Sequence, residues 1–195
     1  MSLQQLILGS SSRSRQELLM RLRLPFEVAV PDVDETPLTG ESPEQLVVRL
    51  AQAKAYKVAE RFPDALIIGA DQVGVLDGEI LCKPLTHDNA IKQLKKASGN
   101  RVVFFIGLCL VDAKNQTQQQ VIETFDVVFR KLSDAMIHTY LQKEHALQCA
   151  GSFKAEGLGI ALVEEFHGSD FSALIGLPLI RLTKMLETAG MGPLS

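Results

Sequence analysis

The stretch LIIGADQVGVLDGEIL, residues 66–81, decides the fold. Its first half reads as a buried strand whose last residues are a carboxylate and an amide, Asp71 and Gln72. An ionised carboxylate is costly to bury without a partner, so a strand that delivers one to its end aims it at water, a cation or a substrate. Asp77-Gly78 between apolar runs then marks a hairpin, which turns the chain back toward Cys82-Lys83-Pro84.

Working outward toward the N-terminus, Ser42-Pro43-Glu44-Gln45 is a capping box with proline at the first helical position. It opens a long helix through Leu46, Val47, Leu50 and Val58 to about Arg61, with Lys54 and Lys57 expected on its polar face. FEVAV, residues 26–30, reads as a strand. Before it, Leu6 to Leu8 form a short apolar strand, Gly9 to Ser12 a small-residue loop, and Ser14 to Leu22 a helix with Leu18, Leu19 and Leu22 on one face.

Toward the C-terminus, Thr86 caps a helix ending at Ser98-Gly99, and Val102 to Val111 and Val121 to Phe129 read as two long strands. Ser133 caps a helix to about Gln142, and GSFKAEGLGI, residues 151–160, is a glycine-punctuated loop entering a strand. Phe171 to Ala189 is a closing helix interrupted at Gly176 and Pro178. Strands and helices interleave without a strict parallel rhythm, so the expected class is α/β, a mixed twisted sheet with flanking helices. No repeat or linker divides the chain, and a single domain over residues 1–195 is expected.

A net charge of -3, with 46% hydrophobic and 22% charged residues, is the profile of a soluble globular protein and argues against a nucleic-acid polymer as partner. The N-terminus, MSLQQLILGSSS, has no basic start and only a short apolar run. Neither a secretory signal nor a membrane span is expected, which predicts a cytoplasmic protein. Cys82, Cys109 and Cys149 lack metal-ligand spacing and read as buried reduced thiols, and the four histidines are equally scattered.

Three segments can carry chemistry. In GSSSRSR, residues 9–15, serines and backbone N–H groups open a helix whose dipole favours an anion, and Arg13 and Arg15 can add charge-assisted contacts. An ordinary serine-capped helix with solvated arginines would look the same. In PDVDET, residues 31–36, Asp32, Asp34 and Glu35 repel one another unless a cation or basic group is near. A hard cation such as magnesium is the natural neutraliser where phosphates share the site, and a solvated acidic loop is the plainer reading. Lys54 and Lys83 are point charges able to meet phosphate oxygens, or else surface lysines. The combination with a strand-end carboxylate suits phosphoryl chemistry.

In order along the chain, LILGSSSRSRQELL, VDET, LAQAKA, IIGADQV, CKPL, ASGN, GSFKAEGLGI and GLPL make the sequence resemble the Maf nucleotide pyrophosphatases over nearly its whole length. Gln72 after Asp71, together with CAGSFKAEG at residues 149–157, looks like the subgroup that hydrolyses 7-methyl-GTP rather than thymidine or uridine triphosphate. The resemblance implies two lobes around a deep cleft, a homodimer, and cleavage of a nucleoside triphosphate to monophosphate and pyrophosphate with a divalent cation, magnesium, manganese or cobalt. It also implies roles. Asp71 takes the proton-acceptor position, and Glu35 with Asp71 the metal position. Ser10, Arg15, Lys54 and Lys83 take phosphate-binding positions. Ser14, Gln72 and Glu156 take the positions that sort bases, where an acidic Glu156 suits the positive ring of a methylated guanine. Two departures stand out: Arg13-Ser14 replaces the usual proline followed by a basic or aromatic residue, and Ile106 replaces a usual threonine.

Overall fold

A computed structural model describes residues 4–194; Met1, Ser2 and Leu3, which begin the N-terminal stretch read above, and Ser195 lie outside the described residues. The described residues form a seven-stranded sheet: β1 (Leu6–Gly9), β2 (Glu27–Val28), β3 (Leu66–Leu76), β4 (Glu79–Leu81), β5 (Arg101–Asp112), β6 (Thr117–Phe129) and β7 (Val163–His167). The order is β2-β1-β3-β5-β6-β7, with β4 paired to β3 off that path. β1 runs parallel to β2 and β3, whereas the β3–β4 and β6–β7 pairs are antiparallel. The helices are α1 (Arg13–Met20), α2 (Pro43–Ala59), α3 (His87–Ala97), α4 (Asp134–Lys143), α5 (Phe171–Ile175) and α6 (Leu179–Thr188). The expected mixed sheet with flanking helices is what the chain forms.

Two compact units divide the chain. One comprises the residues up to Asp71, Ile106–Glu123 and those from Gly176 on; the other comprises Gln72–Phe105 and Thr124–Ile175. In the first unit β1 and β3 are buried on both faces, with Ile7 opposite Ile67 and Leu8 opposite Ile68. Such strands read as unbroken apolar runs, and each fully buried side chain contributes roughly 2 kcal/mol.

Helix α2 starts as its capping box requires: the Ser42 hydroxyl accepts from the Gln45 N–H, and the Gln45 side chain accepts from the Ser42 N–H. Its small residues then seat it unusually close to the sheet. A Cβ placed on Gly69 of β3 would stand 2.1 Å from the Ala51 carbonyl oxygen, and one on Gly107 of β5 would stand 2.2 Å from that of Val47. One on Gly9 of β1 would lie 3.4 Å from Val58 and 3.5 Å from the Lys54 carbonyl. Because β1, β3 and β5 are neighbours, the three glycines make a furrow that receives the helix backbone.

Two expectations about strands are corrected. β3 does not end at Asp71 but runs to Leu76, because Val73, Val75 and Leu76 keep the extended pattern and β4 pairs with residues 74–76. Asp71 is therefore inside a strand. The FEVAV strand shrinks to Glu27–Val28, since Pro25 and Pro31 bracket it and cannot donate to a ladder.

In the second unit the hairpin turn is of the kind foreseen: Asp77 and Gly78 both have positive φ, 51° and 81°, the type I′ pattern that matches strand twist. Thr86 and Ser133 cap α3 and α4 as read. The late glycine loop is tighter than expected, forming two 3-10 turns, Ala150–Ser152 and Leu158–Leu162, before β7. Of the cysteines only Cys109 is buried, Cys149 is half-buried and Cys82 is exposed, which corrects the expectation of three buried thiols. Among the described residues no helix is long and apolar enough to cross a membrane.

Candidate active site

Six of the candidate site residues, Ser10, Ser14, Arg15, Glu35, Lys54 and Asp71, belong to the first unit, and Ser10, Arg15, Glu35, Lys54 and Asp71 cluster there. Lys54 is the hub. Expected on the polar face of α2, it is instead buried, 6% exposed, because the glycine furrow draws that part of the helix onto the sheet. Its ammonium donates to Asp71 Oδ1 at 2.7 Å and pairs with Glu35 Oε1 at 2.6 Å. Asp71 is equally buried, at 7%, so the cost of placing a carboxylate inside a strand is met by a cation 17 residues earlier in the chain. Glu35 is more exposed and reaches the same ammonium from the acidic loop.

Ser10 and Arg15 lie at the start of α1. Ser12 caps the helix by accepting from the Arg15 N–H. The buried Ser10 hydroxyl accepts from the Ser12 N–H at 3.2 Å and from the Arg15 guanidinium at 3.4 Å, and Arg15 Nε donates to the Gly176 carbonyl at 2.9 Å. Burial lowers the Arg15 guanidinium from its ordinary value, and the negative charges of Asp71 and Glu35 oppose that shift. Arg15 thus feels both carboxylates. Arg13 does not join them: it is solvated and pairs with Glu17. Ser14 is half-buried in the first turn of α1.

The acidic loop is held by residues that the sequence reading did not single out. Arg49 of α2 grips both Glu41 carboxylate oxygens, at 2.6 and 2.8 Å, and donates to the Thr36 carbonyl at 3.1 Å, next to Glu35. These bonds from Arg49 hold the Glu41 carboxyl down to about 2. Hydrogen bonds from Thr36 likewise hold Asp34 below the usual carboxylate range. A pair separated by eight positions across a helix start leaves no helical spacing to notice, so Arg49 gave no signal in the sequence.

The other named residues belong to the second unit. Gln72, half-buried, donates to the Leu174 carbonyl at 2.7 Å. Lys83 and Glu156 are exposed, and both act on Cys149: burial pushes that thiol up to about 11, Glu156 adds to the rise and Lys83 opposes it.

A divalent cation would find two hard oxygen donors in Glu35 and Asp71, and among the described residues no group of three His, Cys, Asp or Glu is arranged around one point. Two carboxylates fit a cation of the magnesium type, which keeps most of its shell as water and substrate phosphate.

The Maf-like protein family matches residues 5–189, and the chain belongs to that family. A relative from Nitrosococcus oceani is 56% identical over 185 residues, covering 95% of this chain and 93% of its own length, and is named 7-methyl-GTP pyrophosphatase.

Proposed function

We propose that the chain is a nucleoside triphosphate pyrophosphatase that hydrolyses 7-methyl-GTP to 7-methyl-GMP and pyrophosphate, so removing a modified nucleotide. The observation that carries this reading is the buried Asp71–Lys54 pair, joined by the exposed Glu35, in a chain so similar to a named 7-methyl-GTP pyrophosphatase. Ser10, Arg15, Lys54 and Lys83 supply hydroxyl and cationic groups for the triphosphate oxygens. Asp71 accepts a proton from the water that attacks the α-phosphorus, and pyrophosphate leaves. Glu35 and Asp71 would hold a divalent cation, magnesium, manganese or cobalt, which when bound neutralises phosphate charge. Lys54 keeps Asp71 oriented through its 2.7 Å bond, so positioning and charge supply most of the rate. Glu156 meets the positive ring of the methylated base while Ser14 and Gln72 read polar edges.

Product analysis tests this. The protein, with magnesium, manganese or cobalt, is expected to convert 7-methyl-GTP to 7-methyl-GMP and pyrophosphate in preference to GTP, dTTP, UTP and CTP. Asp71→Asn should abolish turnover, by about a thousandfold or more, while leaving the fold intact. An Asp71→Asn protein at wild-type rate would refute the base. Preferred turnover of a pyrimidine triphosphate would overturn the roles of Gln72 and Glu156.

A further inference from the structure

Two segments of the second unit run side by side around Lys83 and the loop that bears Glu156. The Leu85 N–H donates to the Leu147 carbonyl at 3.1 Å, and a Cβ on Gly151 would lie 3.4 Å from the Leu81 side chain. These two contacts hold the segment that bears Lys83 against the one that bears Cys149, whose thiol feels the Lys83 charge. The 81–85 and 147–151 segments are not a regular ladder, and side chains fix their spacing.

The chief tie is Gln93 of α3. Its Nε2 donates to the Cys82 carbonyl at 2.8 Å, and its Oε1 accepts from the Ser152 hydroxyl at 2.6 Å. One amide thereby links the residue before Lys83 to the loop that leads to Glu156. Ser152 is fully buried and sits at φ 58°, after Gly151 at φ 63°, so a residue with a Cβ is held in the left-handed region. From the other side α4 grips the same residue: the Tyr140 hydroxyl donates to the Ser152 carbonyl at 3.2 Å and accepts from the Lys154 N–H at 3.1 Å. Farther along, Glu144 accepts from the Lys154 ammonium at 2.8 Å and from the Leu158 N–H at 2.9 Å.

The geometry points to Gln93 as a positioning residue for base selection, holding the Lys83 segment and the Glu156 loop in register. It touches neither the proton acceptor nor the cation donors, and through Lys83 and Glu156 it acts on the binding of triphosphate and base. This rests on the proposed pyrophosphatase reading.

The test uses Gln93→Met, which keeps length and removes both bonds, and Gln93→Glu, which keeps an acceptor for Ser152 but sets a carboxylate oxygen against the Cys82 carbonyl. For Gln93→Met, KM for 7-methyl-GTP should rise about tenfold, the effect of losing one to two hydrogen bonds, with kcat within about twofold and discrimination against GTP reduced. Gln93→Glu should impair discrimination at least as much as Gln93→Met, because its carboxylate repels the Cys82 carbonyl. Amide hydrogen exchange across residues 149–158 should quicken in Gln93→Met while the first unit keeps its protection. A fall in kcat at unchanged KM, or exchange in that loop unaffected by either variant, overturns the positioning role. Failure of the wild type to turn over any triphosphate sinks the functional reading, and base selection with it, whereas normal wild-type turnover with unaltered selectivity in both variants sinks the role of Gln93 alone.

Discussion

Lys54 shows how much a single side chain decides. A lysine on a helix whose neighbours include Lys57 reads as solvated, and only its seat against the sheet makes it the shared partner of Asp71 and Glu35. Lys54→Met should leave Asp71 buried without its hydrogen-bonded countercharge, with only the more distant Arg15 charge in its place, and cost about 3 kcal/mol by urea unfolding, the Asp71 half dominating because Glu35 is exposed. Turnover should fall with it. The sequence made Asp71, Glu35, Ser10 and Arg15 legible, because carboxylates and small residues beside apolar runs are locally odd. It could not place Lys54 inside, since burial here depends on glycines that are far away in the chain. Arg49, Gln93 and Tyr140 stayed invisible for a similar reason: their partners are backbone groups or residues of other elements, and no spacing rule encodes those.

At the level of elements, caps and turns were readable and packing distance was not. Ser42, Thr86 and Ser133 start their helices and Asp77-Gly78 closes its hairpin, as local chemistry demands. Strand lengths came out less well, because the continuation of β3 through Asp71 depends on pairing with β4. The closeness of α2 to the sheet requires Gly69, and there a methyl group would meet backbone, which cannot move aside cheaply. Gly69→Ala should destabilise the protein by about 2 kcal/mol through overpacking. It should also lower kcat, although it changes neither Lys54 nor Asp71, because the helix that carries Lys54 must lift. Thermal unfolding and steady-state kinetics on the same preparation check both effects.

For the whole molecule, acid stability should carry the mark of the Glu41–Arg49 tie. The Glu41 carboxyl is lowered from 4.5 to about 2 in the folded chain, so the stability it contributes is complete above about pH 4.5 and is lost as pH falls through about 2. Glu41→Gln should flatten that part of the stability-against-pH curve, measured by denaturant unfolding between pH 2 and 6, and leave the curve's shape above pH 5 unaltered. The furrow under α2 also bears on the order of synthesis. Its glycines come from positions 9, 69 and 107, so the seat is finished only when β5 has been made. A nascent chain has both Lys54 and Asp71 out of the ribosome before the strand that completes their support has emerged, and for that interval the helix has only two of its three grooves to settle into. The Lys54–Asp71 pair therefore becomes rigid only after β5 is in place, well after its own residues have been translated.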